Sequence, residues 1–214
     1  MKRSALIFLS LFLTLTFTLF SYSVAKEQWN QIDFDTTVKI QDRIHVRFDD
    51  NFSLLSLLGS AEVTFAIAFL ATAFYLTRKR FMAALAWLMI IPASMAEVFG
   101  KLILYHPGTP VLFHRNTLDT HLPSFYIHTN FSYPSGHMTR TIFLTTVFFF
   151  IVLNSNLNIF LKIILLSGLV AFSLLMALTR VSLGEHWLSD VIGGIFLGMA
   201  AGFFTSAFLT KRVT

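Results

Sequence analysis

Six apolar runs, each close to the length of a bilayer crossing, govern what this chain can fold into. They cover approximately Ala5–Val24, Leu54–Thr77, Phe81–Leu104, Met138–Leu153, Ile159–Leu178 and Leu188–Leu209. A hydrocarbon core of about 30 Å takes about 20 helical residues to cross. A helix satisfies its own backbone polar groups there, where water cannot. The composition agrees, because 55% of the 214 residues are hydrophobic and only 13% are charged, a balance foreign to soluble domains of this size. The expected fold is all-α: a polytopic membrane bundle of six transmembrane helices, forming a single domain over residues 1–214.

Lysine and arginine in the connections set the orientation. Lys2–Arg3, Arg78–Arg80, Lys162 and Lys211–Arg212 all fall on one side if every run crosses, so both termini are expected in the cytoplasm. Residues 26–53 and 105–137 then form extracytoplasmic segments. The net charge of +5 is spread over span ends rather than gathered on one polar face, which argues for membrane lipids and against nucleic acid as partners. Lys2–Arg3, the run after it and the small residues ending at Ala25 also fit a cleavable signal peptide. Residues 1–25 are thus a first transmembrane helix or a signal, and the length of the run favours the helix.

No cysteine is present, so disulfides and thiolate metal sites are excluded. His114, His121 and His128 recur every seven residues in the outer loop. Without helix geometry to converge them they are read as solvated, and neither metal nor cofactor is expected. Gly194, Gly198 and Gly202 form a four-residue stripe on the last run, suited to close helix packing.

The chemistry lies in charges that a membrane protein normally avoids. Glu97 and Lys101 close the third run. His137 and Arg140 open the fourth, and Arg180, Glu185, His186 and Asp190 surround the turn between the fifth and sixth. Ionisable groups at such depth usually serve a partner or a cavity. Here several helix ends bring them to one outer face. Lys and Arg suit phosphate oxygens, and the N–H groups of the Ser135–Gly136 turn add an anion site where a helix begins. A histidine can attack phosphorus when an acid holds its other ring nitrogen. His186 and Asp190 are four residues apart, so they share a helix face if the helix has begun there. His137 is left to protonate a departing alkoxide.

"YPSGH" (Tyr133–His137) and "TRVSLGEHWLSD" (Thr179–Asp190) resemble the second and third signatures of the type 2 phosphatidic acid phosphatase (PAP2) superfamily. Arg180, His186 and Asp190 match the third in spacing, with Thr179 where the family has Ser. The likeness spans Lys101 to Asp190. It implies a metal-free membrane phosphatase in which His186 is the nucleophile that forms a phosphohistidine, Asp190 orients it and His137 is the general acid. Lys101, Arg180 and the Ser135–Gly136 turn would hold the phosphoryl oxygens. The implied substrates are lipid phosphates or diphosphates: phosphatidic acid, phosphatidylglycerol phosphate or a polyprenyl diphosphate. The implied location is a bacterial inner membrane with the site facing outside.

The first signature is incomplete. The family has Lys, six residues, then Arg-Pro, but here Gly108 and Thr109 occupy the last two positions. Arg140, one turn after His137, is the leading replacement cation, with Arg115 and His106 behind it. Arg140 could instead form a buried ion pair with Glu97 or Glu62. Two other functions stay open: a phosphotransferase with an acceptor other than water, and a non-catalytic membrane scaffold.

Overall fold

The structure is a computed structural model that describes residues 2–115 and 131–209. His121, His128, Lys211 and Arg212 lie outside these residues. Among the described residues the chain forms helices α1 (Arg3–Ala25), α2 (Asn30–Arg43), α3 (Asp49–Leu57), α4 (Ala61–Thr77), α5 (Phe81–Trp87), α6 (Ile90–Ile103), α7 (Gly136–Leu153), α8 (Ile159–Ser182) and α9 (Leu188–Leu209). Six helical stretches among them are long and apolar enough to cross a membrane, and they coincide with the six runs read from the sequence.

Local chemistry explains where these helices start and break. Ser60 caps α4 by accepting from Val63 N at 3.3 Å, and Asn158 caps α8 by accepting from Leu161 N at 2.8 Å. The second crossing is broken between α3 and α4 at Gly59, which lies against α7. A Cβ there would come within 2.8 Å of Thr141 Oγ1 and 3.3 Å of His137 Cδ2. The third crossing is broken between α5 and α6. Pro92 sits in the first turn of α6, where its missing N–H leaves no intrahelical bond unmade.

α7 and α9 form the centre of the bundle. In each, 61% of the spanning window is buried, against 6% for α8. Their close approach requires glycine: a Cβ at Gly198 would sit 2.4 Å from the Thr139 carbonyl oxygen, and one at Gly202 2.6 Å from Thr146 Cβ. Gly194 meets Ser135 and Met138 in the same way. The predicted glycine stripe is therefore a packing face, and Gly193, against the Tyr133 ring, extends it. Trp87, Ile90, Phe143, Val147 and Ala201 fill the adjoining core.

α1 packs along α9, with Ser10 Oγ donating to Ala200 O at 2.8 Å and Ser21 Oγ 2.9 Å from Tyr133 Oη. α2, in the polar segment of residues 26–53, is a helix that composition did not announce. It turns Asp33 and Thr37 inward while Ile32, Phe34 and Val38 stay exposed. Its inner face rests on α8 and α9 beside the site.

Candidate active site

Four helix ends meet at one end of the bundle: the C-termini of α6 and α8 and the N-termini of α7 and α9. Lys101, His137, Arg180 and Asp190 stand on them. The charges of Arg180, Arg140, His186 and Lys101 all act on His137. Five of the eight residues expected from the sequence are thereby gathered, and Asp190 and the Ser135–Gly136 turn join them by direct contact. Ser135 N donates to Asp190 O at 3.0 Å, tying the start of α7 to the start of α9.

His186 precedes α9 and Asp190 lies in its first turn. His186 Nδ1 is 3.2 Å from Asp190 Oδ2, which also accepts from Trp187 N at 3.0 Å. Asp190 is fully buried, and its charge suits the positive end of α9. The contact at Nδ1 fixes the His186 ring through that nitrogen. Behind the pair, His106 Nε2 lies 3.4 Å from Asp190 Oδ1 and 3.0 Å from Ser189 Oγ. Ser189 donates its hydroxyl to Asp33 Oδ2 at 2.7 Å and its N–H to Asp33 Oδ1 at 2.8 Å. Burial pushes the Asp33 carboxyl above its ordinary range, opposed by these bonds from Ser189.

The cations have carboxylate partners. Glu97 Oε1 is 2.7 Å from Lys101 Nζ and Glu97 Oε2 is 2.8 Å from Arg140 Nη1. Of the two carboxylates considered for Arg140, Glu97 is the one that pairs with it. The same carboxylate presses on Gly136, where a Cβ would lie 2.2 Å from Glu97 Oε1. Arg180 is fully buried; its Nη1 bonds Glu185, its Nε bonds Thr179 Oγ1 at 3.2 Å, and its Nη2 has no partner among the described residues. Thr179 thus supplies the hydroxyl that the family's Ser would. Ser135 Oγ is also buried and unpartnered. Buried donors without partners are uncommon, and two of them beside a cation cluster suit an anion.

Two residues considered as replacements for the missing arginine are engaged elsewhere. Arg115 clamps α2 to α3, donating to Ile44 O, Gln41 O and Asp49 Oδ1 at 2.6–3.1 Å. His106 stands behind Asp190. Gly108 itself is exposed, in the segment that locks onto the α8–α9 turn: Thr109 Oγ1 donates to Gly184 O, and Trp187 Nε1 to Pro107 O at 2.8 Å. Gly184 has φ +69°, and a Cβ there would collide with Phe113 O, so this turn needs glycine. His114, in the same segment, bonds Thr109. Among the described residues no group of three His, Asp or Glu side chains is placed to hold a metal.

The sequence model of the PAP2 superfamily matches residues 101–214, more than half of the chain. The chain belongs to the PAP2 superfamily. Its fold is similar to the crystal structure of the transmembrane PAP2 type phosphatidylglycerolphosphate phosphatase from Bacillus subtilis, with a TM-score of 0.68 and 18% identity over 96% of this chain and 98% of that one. It is also similar to LpxE of Aquifex aeolicus, with a TM-score of 0.56 and 21% identity over 81% of this chain and 94% of that one. No curated protein matches the sequence. Family and fold together make the chain an integral membrane phosphatase of the PAP2 type.

Asp33 and the inward role of His106 escaped sequence reasoning. The available signal was a polar stripe, Asp33, Thr37 and Gln41, at four-residue spacing. Such a stripe marks one helix face, here the face turned toward the protein.

Proposed function

We propose that this PAP2 enzyme hydrolyses a phosphomonoester or diphosphate of a membrane lipid through a phosphohistidine on His186. Phosphatidic acid, phosphatidylglycerol phosphate and polyprenyl diphosphates are the substrates to test. The observation that carries the reading is the His186–Asp190 pair at 3.2 Å, its aspartate buried, set beside an Arg180 whose Nη2 is buried without a partner among the described residues.

Lys101, Arg180 and the Ser135–Gly136 turn hold the phosphoryl oxygens, with Arg140 as a further cation. His186 Nε2 attacks phosphorus while Asp190 stabilises the charge that develops on the ring. The bond from phosphorus to the leaving oxygen breaks, and His137 gives that oxygen a proton. Water then attacks the phosphohistidine, His137 takes back a proton, and phosphate leaves. No metal takes part in these steps.

The site end of the bundle lies opposite the Arg78–Arg80 turn, where Arg80 donates to Leu209 O. With positive charge kept inside, residues 1–214 form a single integral domain with both termini cytoplasmic. Residues 26–53 and 105–137, and with them the active site, face outside a bacterial inner membrane. The contacts of Ser10 and Ser21 support retention of α1.

The test is phosphate release by detergent-purified protein, wild type against His186→Ala, over the three lipids. Release that disappears in the variant is the expected result. Turnover that persists in His186→Ala, with no phosphoenzyme trapped in the wild type, overturns the nucleophile assignment.

A further inference from the structure

Asp190 has two buried carboxylate oxygens and only one of them is accounted for by His186. Oδ2 takes His186 Nδ1 and Trp187 N, whereas Oδ1 has no hydrogen bond among the described residues. A buried carboxylate oxygen is costly to leave bare. His106 Nε2 lies 3.4 Å from Oδ1.

The position of the His106 proton follows from its neighbours. Both oxygens of Asp33 are used by Ser189, one by its N–H and one by its hydroxyl proton. With its proton given to Asp33, Ser189 Oγ can only accept at 3.0 Å from His106 Nε2. Nε2 therefore carries a hydrogen, donated to Ser189 Oγ, and the same nitrogen stands 3.4 Å from Asp190 Oδ1. His106, Ser189, Asp33 and Asp190 are each at most 3% exposed, so water is no substitute for any of them. The titratable groups that face His106 are Asp33 from α2, Asp190 from α9 and Tyr133 from the segment before α7, its ring edge-on at 6.3 Å. The His106 backbone is fixed as well, its carbonyl accepting from Ser132 N at 3.0 Å.

On the reading that Asp190 orients His186, we propose that His106 is a positioning residue. Its Nε2–H holds Asp190 Oδ1 so that Oδ2 stays on His186, and Ser189 on α9 and Asp33 on α2 brace it. α2 is thereby coupled to the nucleophile. His106 does not touch the substrate, so its loss slows the chemical step and leaves phosphate binding alone.

The experiment compares wild type, His106→Leu, His106→Gln and Ser189→Ala with His186→Ala and Asp190→Asn as references, using phosphate release from phosphatidic acid in detergent micelles. His106→Leu should lower kcat at least tenfold with KM within twofold. His106→Gln, whose amide N–H reaches the place of Nε2–H, should recover most of that loss. Ser189→Ala, a smaller change for the case in which His106→Leu does not fold, should lower kcat several-fold. Wild-type kcat in His106→Leu or Ser189→Ala, or equal loss in the Leu and Gln variants, overturns the proposal. If the references also turn over normally, the assignment of His186 and Asp190 fails instead. A readout independent of turnover is the imidazole nitrogen NMR of His186. One tautomer, protonated at Nδ1, is expected in wild type and a mixture in His106→Leu; identical spectra overturn the proposal.

Discussion

Glu97 Oε2 lies 2.8 Å from Arg140 Nη1 while Glu97 Oε1 lies 2.7 Å from Lys101 Nζ, so one carboxylate on α6 bridges two cations of the site. It does so against Gly136, at the start of α7, where a helix N-terminus favours negative charge. The protein's own acid therefore occupies cationic groups that a phosphate would also seek. On the proposed function, an incoming phosphate would compete with Glu97 for them.

Replacing Glu97 with Gln should expose that competition. Removing one partner of a buried ion pair destabilises by about 3–5 kcal/mol, and the figure here is smaller because Lys101 and Arg140 keep 15% and 11% exposure. The variant should melt earlier in detergent than wild type, and orthovanadate should restore more of its Tm than it adds to wild type. An equal vanadate shift in both proteins would remove Glu97 from the anion site.

Arg140→Ala should weaken vanadate binding and raise KM about tenfold, the loss of one charge-assisted hydrogen bond worth about 1.5–3 kcal/mol. Vanadate inhibition measured on Arg140→Ala, Glu97→Gln and the double variant gives the coupling. An unchanged inhibition constant in Arg140→Ala would mean that the arginine serves only to hold Glu97.

Gly108 stands where the family has arginine, and the structure leaves room for one. Among the described residues a Cβ there would meet only Ser132 Cβ, at 4.0 Å, and its φ lies outside the left-handed region. Gly108→Arg should leave Tm unchanged within about 2 °C, since surface substitutions cost little, and should lower KM for a lipid phosphate. If KM stays put, the cations already present suffice for the phosphoryl group.

The α7–α9 contact gives a matched pair of stability tests. Gly198→Val should destabilise by about 1–3 kcal/mol or more by overpacking, because its Cβ would lie 2.4 Å from Thr139 O. Gly168→Ala on α8 meets nothing within 4 Å and should stabilise by up to about 1 kcal/mol through helix propensity. Thermal unfolding in detergent reads both, and equal effects would contradict the packing account.

Chelators should leave phosphate release intact. Inactivation that added metal reverses would show that a metal takes part in the reaction.

By itself the sequence determined the crossings, because a helix satisfies its own backbone polar groups in lipid and a run of about 20 apolar residues reports itself without reference to any neighbour. It also placed His186 and Asp190 four residues apart, although α9 begins only at Leu188 and a turn before it brings the two together, and it marked the glycine stripe of α9. Tertiary structure decided what each charge does. Arg115 and His106 are a loop cation and a loop histidine in sequence, yet one clamps α2 to α3 and the other backs Asp190. Asp33, 157 residues before Asp190 in the chain, reaches the same buried network through a helix whose polar face points inward. Pairings such as Glu97 with Arg140 join helices far apart in sequence. Which carboxylate meets which cation depends on the depth and rotation of packed helices, and no local pattern encodes those.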